Sequence, residues 1–549
     1  METAAPATAP ETESAPTTVA APSAPHVVYH SALLDLSGYA QVARLMLREL
    51  DRGGARVRAY PIWGAMRRVE AGENPPGAVV LELPDPAGGI VRYRSDLGER
   101  ETREIVALHE RRDVRNDLVI AHHVPGAPDG RDFFDEMRSR HPGAWRAIGS
   151  TMFETDRIPD CWKAPCERVD ELWVPTRFNL DTFSAAGVDR AKIRVMPFGV
   201  PALGPGDVDR SYAVHSSRAF KFLSVFELTK RKGWDVLLRA WVEAFDPDDD
   251  VALVIKTYGR KGVKPAEVFA DYLRSIGRDP ERIPEIVLIE DRLTDAQMRG
   301  LYPQCDAFVL PSRGEGWGMP YLEAQQHGLP VVATRWSGQL EFLNDDNAFL
   351  IGLDGLTEVD AEQVRDDPIY AGHRWAEPSV AETVEALRRV HGDAEERRRR
   401  ASRGAEDART VWTAERAAAR MRARLDELER ARVAALAACA PDPLPSASAV
   451  WRGPIESPSG YGSEARAFVK ALDATGYPIA TRPVAWGRAT VRLPDADRDR
   501  LHALARRAVR RDAVVVQHSF AEHYKRGSER VAVVRTMFET DRLPDGWAA

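Results

Sequence analysis

The chain has 549 residues, about three or four domain equivalents, each long enough to bury its own core, which excludes a small disulfide-stapled or fibrous protein. Its 44% apolar and 29% charged residues, with 76 basic against 83 acidic side chains and a net charge of −7, describe a soluble globular chain and exclude a general nucleic-acid coat. The four cysteines (Cys161, Cys166, Cys305, Cys439) form no C-x-x-C pair, and no run of eighteen apolar residues occurs, so a reducing, cytoplasmic setting is expected.

Residues 1–25 are rich in Ala, Pro, Thr and Glu without a basic n-region or an apolar h-region, and read as a disordered leader. Residues 26–200 alternate apolar runs with helical patterns, as expected of a parallel sheet covered on both faces. An internal repeat marks this unit. Thr151 to Trp162 reads TMFETDRIPDCW and Thr536 to Trp547 reads TMFETDRLPDGW, identical at ten of twelve positions. Ser37-Gly38-Tyr39 returns as Ser459-Gly460-Tyr461, Tyr60 to Gly64 is echoed by Pro483 to Gly487, and His123 after an apolar run is matched to His518 after another. The sequence therefore predicts a truncated second copy of the N-terminal unit at 448–549, behind an Ala/Pro/Ser linker at 433–447.

A second unit, 201–380, has strand candidates at Phe222 to Glu227, Val251 to Lys256, Ile286 to Glu290, Asp306 to Leu310, Pro330 to Ala333 and Ala348 to Ile351. Leu237, Leu238, Trp241 and Phe245 share one helix face, and Thr294 with Gln297 reads as a capping box. Residues 381–432 form a Glu/Arg/Ala-rich helical stretch, punctuated by Gly392 and Gly404, that is expected to pack back across both units. The fold class is α/β: two facing Rossmann-like doubly wound domains plus a partial third.

Leu310 to Thr334 is the most informative stretch, a strand running into a Gly-rich loop, a helix opening at Pro320, a stop at Gly328 and another strand. Gly314, Gly316 and Gly318 allow close backbone approach, and the free amides of the helix start suit a diphosphate. Met319 occupies the place where a dinucleotide fingerprint needs glycine, which disfavours a Rossmann dehydrogenase. Glu315 in the loop and Glu323, placed in the first helical turn, bracket the anion site. Carboxylates accept from hydroxyls, so the pattern describes a nucleotide-sugar with ribose at one end and hexose at the other.

Glu315 to Glu323 resembles the E-x7-E motif of the retaining GT-B glycosyltransferases of family 4, or group 1. Trp173 to Asn179, Met196 to Val200 and Lys232 to Leu238 support the resemblance across the first two units. It implies a GT-B fold and transfer of a sugar from a nucleoside diphosphate to an acceptor hydroxyl with retention of configuration. Lys232 and Arg231 are implied on the diphosphate and Glu323 on the ribose; Glu315, with the amides of Gly316, Trp317, Gly318 and Met319, is implied on the transferred sugar. Gly38 resembles the family's glycine turn near the donor phosphates, and His123, in preference to its neighbour His122, resembles the family's histidine near the reactive carbon. Tyr39, Glu154 and Asp156 are placed on the acceptor side, with a loop-fixing role open for the two acids. No cofactor and no metal are expected. The acceptor is a glycan, a lipid-linked sugar or a small molecule; nucleic acid is not a partner, and peripheral contact with the inner face of the membrane stays open. Where the family often carries Arg before the lysine, this chain has Glu227, so Lys230, Arg231 or Lys256 must supply the second cation. Two other readings remain: a catalytically silent nucleotide-sugar or glycan binding module, and a GT-B nucleotide-sugar epimerase.

Overall fold

The computed structural model describes residues 24–35, 37–62, 67–68, 79–84, 90–95, 97–141, 143–259, 262–438, 446–484, 490–518 and 531–535. In the first unit, runs such as Val27–Tyr29 and Leu118–Ala121 are buried and form parallel strands. The strands are β1 (His26–Ser31), β2 (Arg56–Pro61), a small antiparallel set β3 (Arg67–Arg68), β4 (Val79–Pro84) and β5 (Ile90–Ser95), then β6 (Leu118–His122), β7 (Arg146–Ser150), β8 (Glu171–Val174) and β9 (Ile193–Val195). The main sheet runs β2-β1-β6-β7-β8-β9, every neighbouring pair parallel. Helix α1 (Gly38–Arg52) starts at a Ser37 cap that accepts from the Ala40 amide, and buries Val42, Met46, Leu47 and Leu50. Helices α2 (Glu99–His109), α3 (Phe133–Ser139), α4 (Asp160–Arg168) and α5 (Arg177–Ala185) complete the unit.

The second unit carries β10 (Phe220–Glu227), β11 (Val251–Tyr258), β12 (Glu285–Ile289), β13 (Ala307–Leu310), β14 (Val331–Thr334) and β15 (Phe349–Ile351), in the all-parallel order β12-β11-β10-β13-β14-β15. All six expected strands are present. Around them lie α6 (Trp234–Ala244), α7 (Pro265–Ser275), α8 (Asp295–Leu301) and α9 (Met319–Gln326). The apolar face of α6 is buried as the spacing predicts, with Trp241 edge-on to Phe222 at 5.6 Å, and the Thr294–Gln297 capping box forms at α8. Two doubly wound units facing each other make the GT-B arrangement.

An arm follows β15 that the sequence did not suggest. Strands β16 (Leu353–Glu358) and β17 (Arg374–Pro378) pair antiparallel, with α10 (Ala361–Asp366) between them. Val359, Tyr370 and Trp375 of this arm are buried with Phe153 and Trp162 in the core of the first unit.

Helices α11 (Val380–Gly392) and α12 (Ala394–Thr410) pack on α6 and α9 of the second unit. Gly404 does not interrupt α12; it sits mid-helix, where a Cβ would lie 2.9 Å from the Gln325 amide. The chain then returns to the first unit. Ala414 N donates to Val200 O at 2.8 Å, Gly199 leaves room for Thr413, and α13 (Ala414–Ala438) lies on α1 with Arg424 paired to Glu171. The predicted packing back across both units is thus divided between successive helices.

In the third unit, β18 (Ala447–Gly453), β19 (Ile479–Pro483), β20 (Val509–His518) and β21 (Val531–Arg535) run parallel in the order β19-β18-β20-β21, the order of β2-β1-β6-β7. Helices α14 (Gly460–Ala474) and α15 (Asp495–Arg506) accompany them. The unit docks on the first: the Gly143 amide donates to Glu456, Trp145 Nε1 to Asp499 at 3.0 Å, and Arg498 pairs with Asp170 at 2.7 Å. Strand register corrects one alignment. With Gly38 matched to Gly460, His30 corresponds to Arg452; His30 stands opposite Ala121 and Arg452 opposite Gln517, so the next residue, His518, aligns with His122 and not with His123. Residues 1–23, Cys439, the echo at Trp63-Gly64 and Ala485 to Gly487, and the repeated motif at Thr536 to Trp547 lie outside the described residues.

Candidate active site

Strand order in the second sheet reverses between β10 and β13, and the segments leaving the carboxyl ends of these two strands meet there, the place where open α/β sheets bind ligands. After β10 a short turn, Lys230–Lys232, ends at Gly233 with φ 65°; a Cβ at Gly233 would stand 1.8 Å from Pro311 O, so only glycine lets the turn lie against the end of β13. After β13 the loop reaches Gly318, whose φ of 94° opens α9. Lys232 Nζ donates to both carboxylate oxygens of Glu315, at 2.7 and 2.9 Å, and Arg231 donates to Gly314 O at 2.7 Å and lies 3.4 Å from Glu315 Oε2. Glu315 is buried; burial opposes its charge, but Lys232 and Arg231 hold its carboxyl below the usual range, so it is ionised.

The loop glycines serve a purpose the sequence reading did not assign. A Cβ at Gly314 would stand 2.3 Å from Glu154 O, and one at Gly316 2.7 Å from Met152 Cγ. These positions are glycine because the Met152–Glu154 segment of the first unit rests on the loop. Glu154 Oε1 lies 3.0 Å from Arg231 Nε and also accepts from the Tyr370 hydroxyl. Burial opposes the Arg231 charge, and the Glu154 and Glu315 carboxylates more than offset it, raising its pKa. Next along the segment, Thr155 Oγ1 lies 2.7 Å from His373 Nδ1, and Asp156 pairs with Arg374 at 3.1 Å. Glu154 and Asp156 thus face the second unit and its arm, joined to the loop and its cations.

Glu323 is the fifth residue of α9, in its second turn and not its first. It accepts from the Tyr302 hydroxyl at 2.7 Å, and burial raises its pKa. Tyr302 stacks flat on His327 at 5.2 Å. Trp317 sends its ring into the interior, 5.8 Å from Phe198 and 4.9 Å from Phe342, which leaves its backbone to face a ligand; its indole N–H has no partner among the described residues. Gly316 and Met319 are half-buried.

From the first unit, Gly38 opens α1 and is exposed, with nothing within 4 Å of where a Cβ would stand. The Tyr39 hydroxyl donates to Met152 O at 3.1 Å, and burial pushes its pKa up to about 12. The two histidines are distinct. His123 Nδ1 lies 3.1 Å from Val124 O, and its ring is edge-on to Phe133. His122 is buried, with Nδ1 2.8 Å from the Tyr29 hydroxyl, its ring 5.5 Å from Phe198 and from Tyr39, and no partner for Nε2 among the described residues. Burial pushes it down to about 3, so it is neutral. His518 contacts Tyr461 at 5.2 Å as His122 contacts Tyr39, in agreement with the register. The sequence ranks His122 below His123 and does not single out Tyr302 or Tyr370; counting residues from the apolar run of β20 would have separated the two histidines.

Of the three candidates for the second cation, Lys230 is held by Asp235 at 3.1 Å over the Trp234 ring, and Lys256 donates to Thr257 O at 3.3 Å. Arg231 is the one that joins Lys232 at Glu315. Among the described residues, no three His, Cys, Asp or Glu side chains stand together as a metal-binding group, and no helix is long and apolar enough to cross a membrane.

Two facing doubly wound units, with a cationic and acidic cluster at the switch point of the second, define a GT-B scaffold. Residues 219–364, which lie in the second unit, match the family of Glycosyl transferases group 1. The chain is 30% identical over 182 residues to a D-inositol 3-phosphate glycosyltransferase of Corynebacterium diphtheriae, a stretch covering 31% of this chain and 42% of that protein. It is also 30% identical over 218 residues to a GDP-mannose-dependent monoacylated alpha-(1-6)-phosphatidylinositol monomannoside mannosyltransferase of Corynebacterium glutamicum, covering 37% of this chain and 54% of the relative. The chain therefore spans about half the length of these relatives. Among solved structures, Anabaena HepE in complex with UDP and glucose aligns at 12% identity over 73% of this chain and 100% of its own, with a TM-score of 0.49.

Proposed function

We propose that the chain transfers a sugar from a nucleoside diphosphate to an acceptor hydroxyl with retention of configuration. One observation carries the reading: Glu315, the first acid of the E-x7-E motif, is buried against Lys232 and Arg231 at the switch point of the second sheet, within the stretch that matches the group 1 family. Lys232 and Arg231 neutralise the departing diphosphate, assisted by the amides of Gly316 to Met319 and without a metal. Glu315 orients the transferred sugar. Glu323, with the Tyr302 hydroxyl beside it, takes the ribose. The histidine at the reactive carbon is reassigned to His122, because it closes β6 with an open Nε2 while His123 turns back on its own backbone. The departing diphosphate accepts the acceptor's proton on the same face, and the protein groups position and neutralise charge.

The relatives' printed names concern inositol phosphates and phosphatidylinositol mannosides, which supports a polyhydroxylated acceptor, free or carried on a lipid at a membrane surface. The third unit repeats the strand order and the Tyr–His contact of the first, which supports its reading as a copy of that unit. The test is incubation of the full chain with labelled UDP- and GDP-sugars and polyol acceptors. Transfer by wild type, lost in Lys232→Ala and Glu315→Ala, is the expected result; unaltered transfer in both variants would remove the assignment.

A further inference from the structure

The cations that the proposed reaction needs are already engaged. Arg231 and Lys232 supply two positive charges, and Glu154 and Glu315 supply two negative ones, so the cluster is balanced. Glu227 adds a further negative field at Arg231. A diphosphate placed against this cluster would leave its own charge uncompensated in a buried site, which is costly unless a carboxylate withdraws. Glu315 cannot withdraw far, because it belongs to the same loop and its backbone amide is held by Ser337 at 2.8 Å. Glu154 belongs to the other unit and can leave as the two units part.

From these contacts we infer that Met152–Asp156 is a self-occupying latch, in which the Glu154 carboxylate holds Arg231 in the place of a donor phosphate. The latch continues beyond the cluster. The Met152 side chain covers Gly316, Thr155 meets His373, and Asp156 pairs with Arg374 of the arm. Tyr370, also of the arm, donates its hydroxyl to Glu154 and is buried in the core of the first unit. Anion binding and latch closure are therefore mutually exclusive at Arg231: the ligand must displace Glu154, and each latch contact weakens the ligand by the same linkage. The inference rests on the proposed reading for the identity of the anion, a nucleoside diphosphate, but not for the competition itself.

Inorganic pyrophosphate, UDP and GDP titrated calorimetrically into the full chain at low salt provide the test, with melting curves of each ligand-free protein as the check on folding. Glu154→Gln keeps the shape and removes the charge. It is expected to bind pyrophosphate and the preferred nucleotide about tenfold more tightly than wild type, the size of one charge-assisted hydrogen bond no longer competing. Asp156→Arg, which breaks the Arg374 pair without touching Arg231, moves affinity the same way by a smaller factor. The exchanged pair Asp156→Arg with Arg374→Glu restores the wild-type value. Equal or weaker binding by Glu154→Gln overturns the latch, as does pyrophosphate binding to neither protein. Were Glu154→Gln unfolded, the Asp156 variants decide by the same criterion. Pyrophosphate tightening while no nucleotide binds keeps the latch and removes the glycosyl-transfer reading; nucleotides binding equally to wild type and Glu154→Gln do the reverse.

Discussion

Lys232 Nζ stands 2.7 Å from Glu315 Oε1, and each residue leaves the carboxyl end of a different strand of one sheet. The pair is buried, so removing one partner leaves the other charge short of compensation, whereas replacing both with neutral groups of similar shape removes the problem. Lys232→Met and Glu315→Gln are each expected to cost about 2 kcal/mol, and the double variant about 1 kcal/mol or less. Urea unfolding of the four proteins measures this; additive losses would mean that the pair is not coupled. On the proposed reading, transfer is expected to fall by about a hundredfold or more in every variant.

His122 and His123 are adjacent but should behave differently. His122→Ala removes a neutral imidazole with an open Nε2 beside Phe198 and Tyr39, and transfer is expected to drop by about a hundredfold or more. His123→Ala gives up one contact with Val124 O and one with Phe133, and transfer is expected to stay within about threefold of wild type. Steady-state rates at saturating donor distinguish the two, and the opposite ranking would return the role to His123.

Gly233 gives a stability prediction at the edge of the same site. Its positive φ and the carbonyl of Pro311 both exclude a side chain. Gly233→Ala should therefore cost about 3 kcal/mol, from strain and forced displacement together, and shift the position of Lys232. Gly38→Ala, whose added methyl meets open space, should change stability by less than about 1 kcal/mol. Thermal unfolding of the two variants tests the contrast.

The six strands of the second unit were legible because parallel strands buried on both faces appear as short apolar runs between helical patterns, as at Val251 to Lys256. The motif resemblance singled out Lys232 and Glu315, and the structure brings the two side chains into contact. What faces the loop was not legible. A glycine in sequence shows that something approaches closely, but not whether it is a phosphate or the side chain of Met152. The arm was equally silent, since β16 is mostly exposed and carries no apolar run, and the apolar residues Val359, Tyr370 and Trp375 complete a core formed by residues some two hundred positions earlier. His122 ranks below His123 in the sequence for a simpler reason: neighbouring identical residues are separated only by strand register.

Buried neutral histidines fix the direction of the pH dependence. Burial pushes His141 down to about 4, with Arg58 and Arg140 acting the same way, and pushes His122 down to about 3. In the unfolded chain both titrate near about 6.5. Between that value and the folded values the unfolded state binds more protons than the native state, so unfolding free energy rises with pH there, and stability is lost as pH falls from about 6.5 toward about 4. His30, whose Nε2 lies 2.7 Å from His141 Nε2, is also held below its ordinary value by burial and by its partner. Chemical denaturation at a series of pH values should show the midpoint falling steadily through this window and changing little between about pH 7 and 8. His141→Gln should flatten the fall, because one of the groups that charges on unfolding is gone. A midpoint that rose on acidification would show that these imidazoles are protonated in the folded protein.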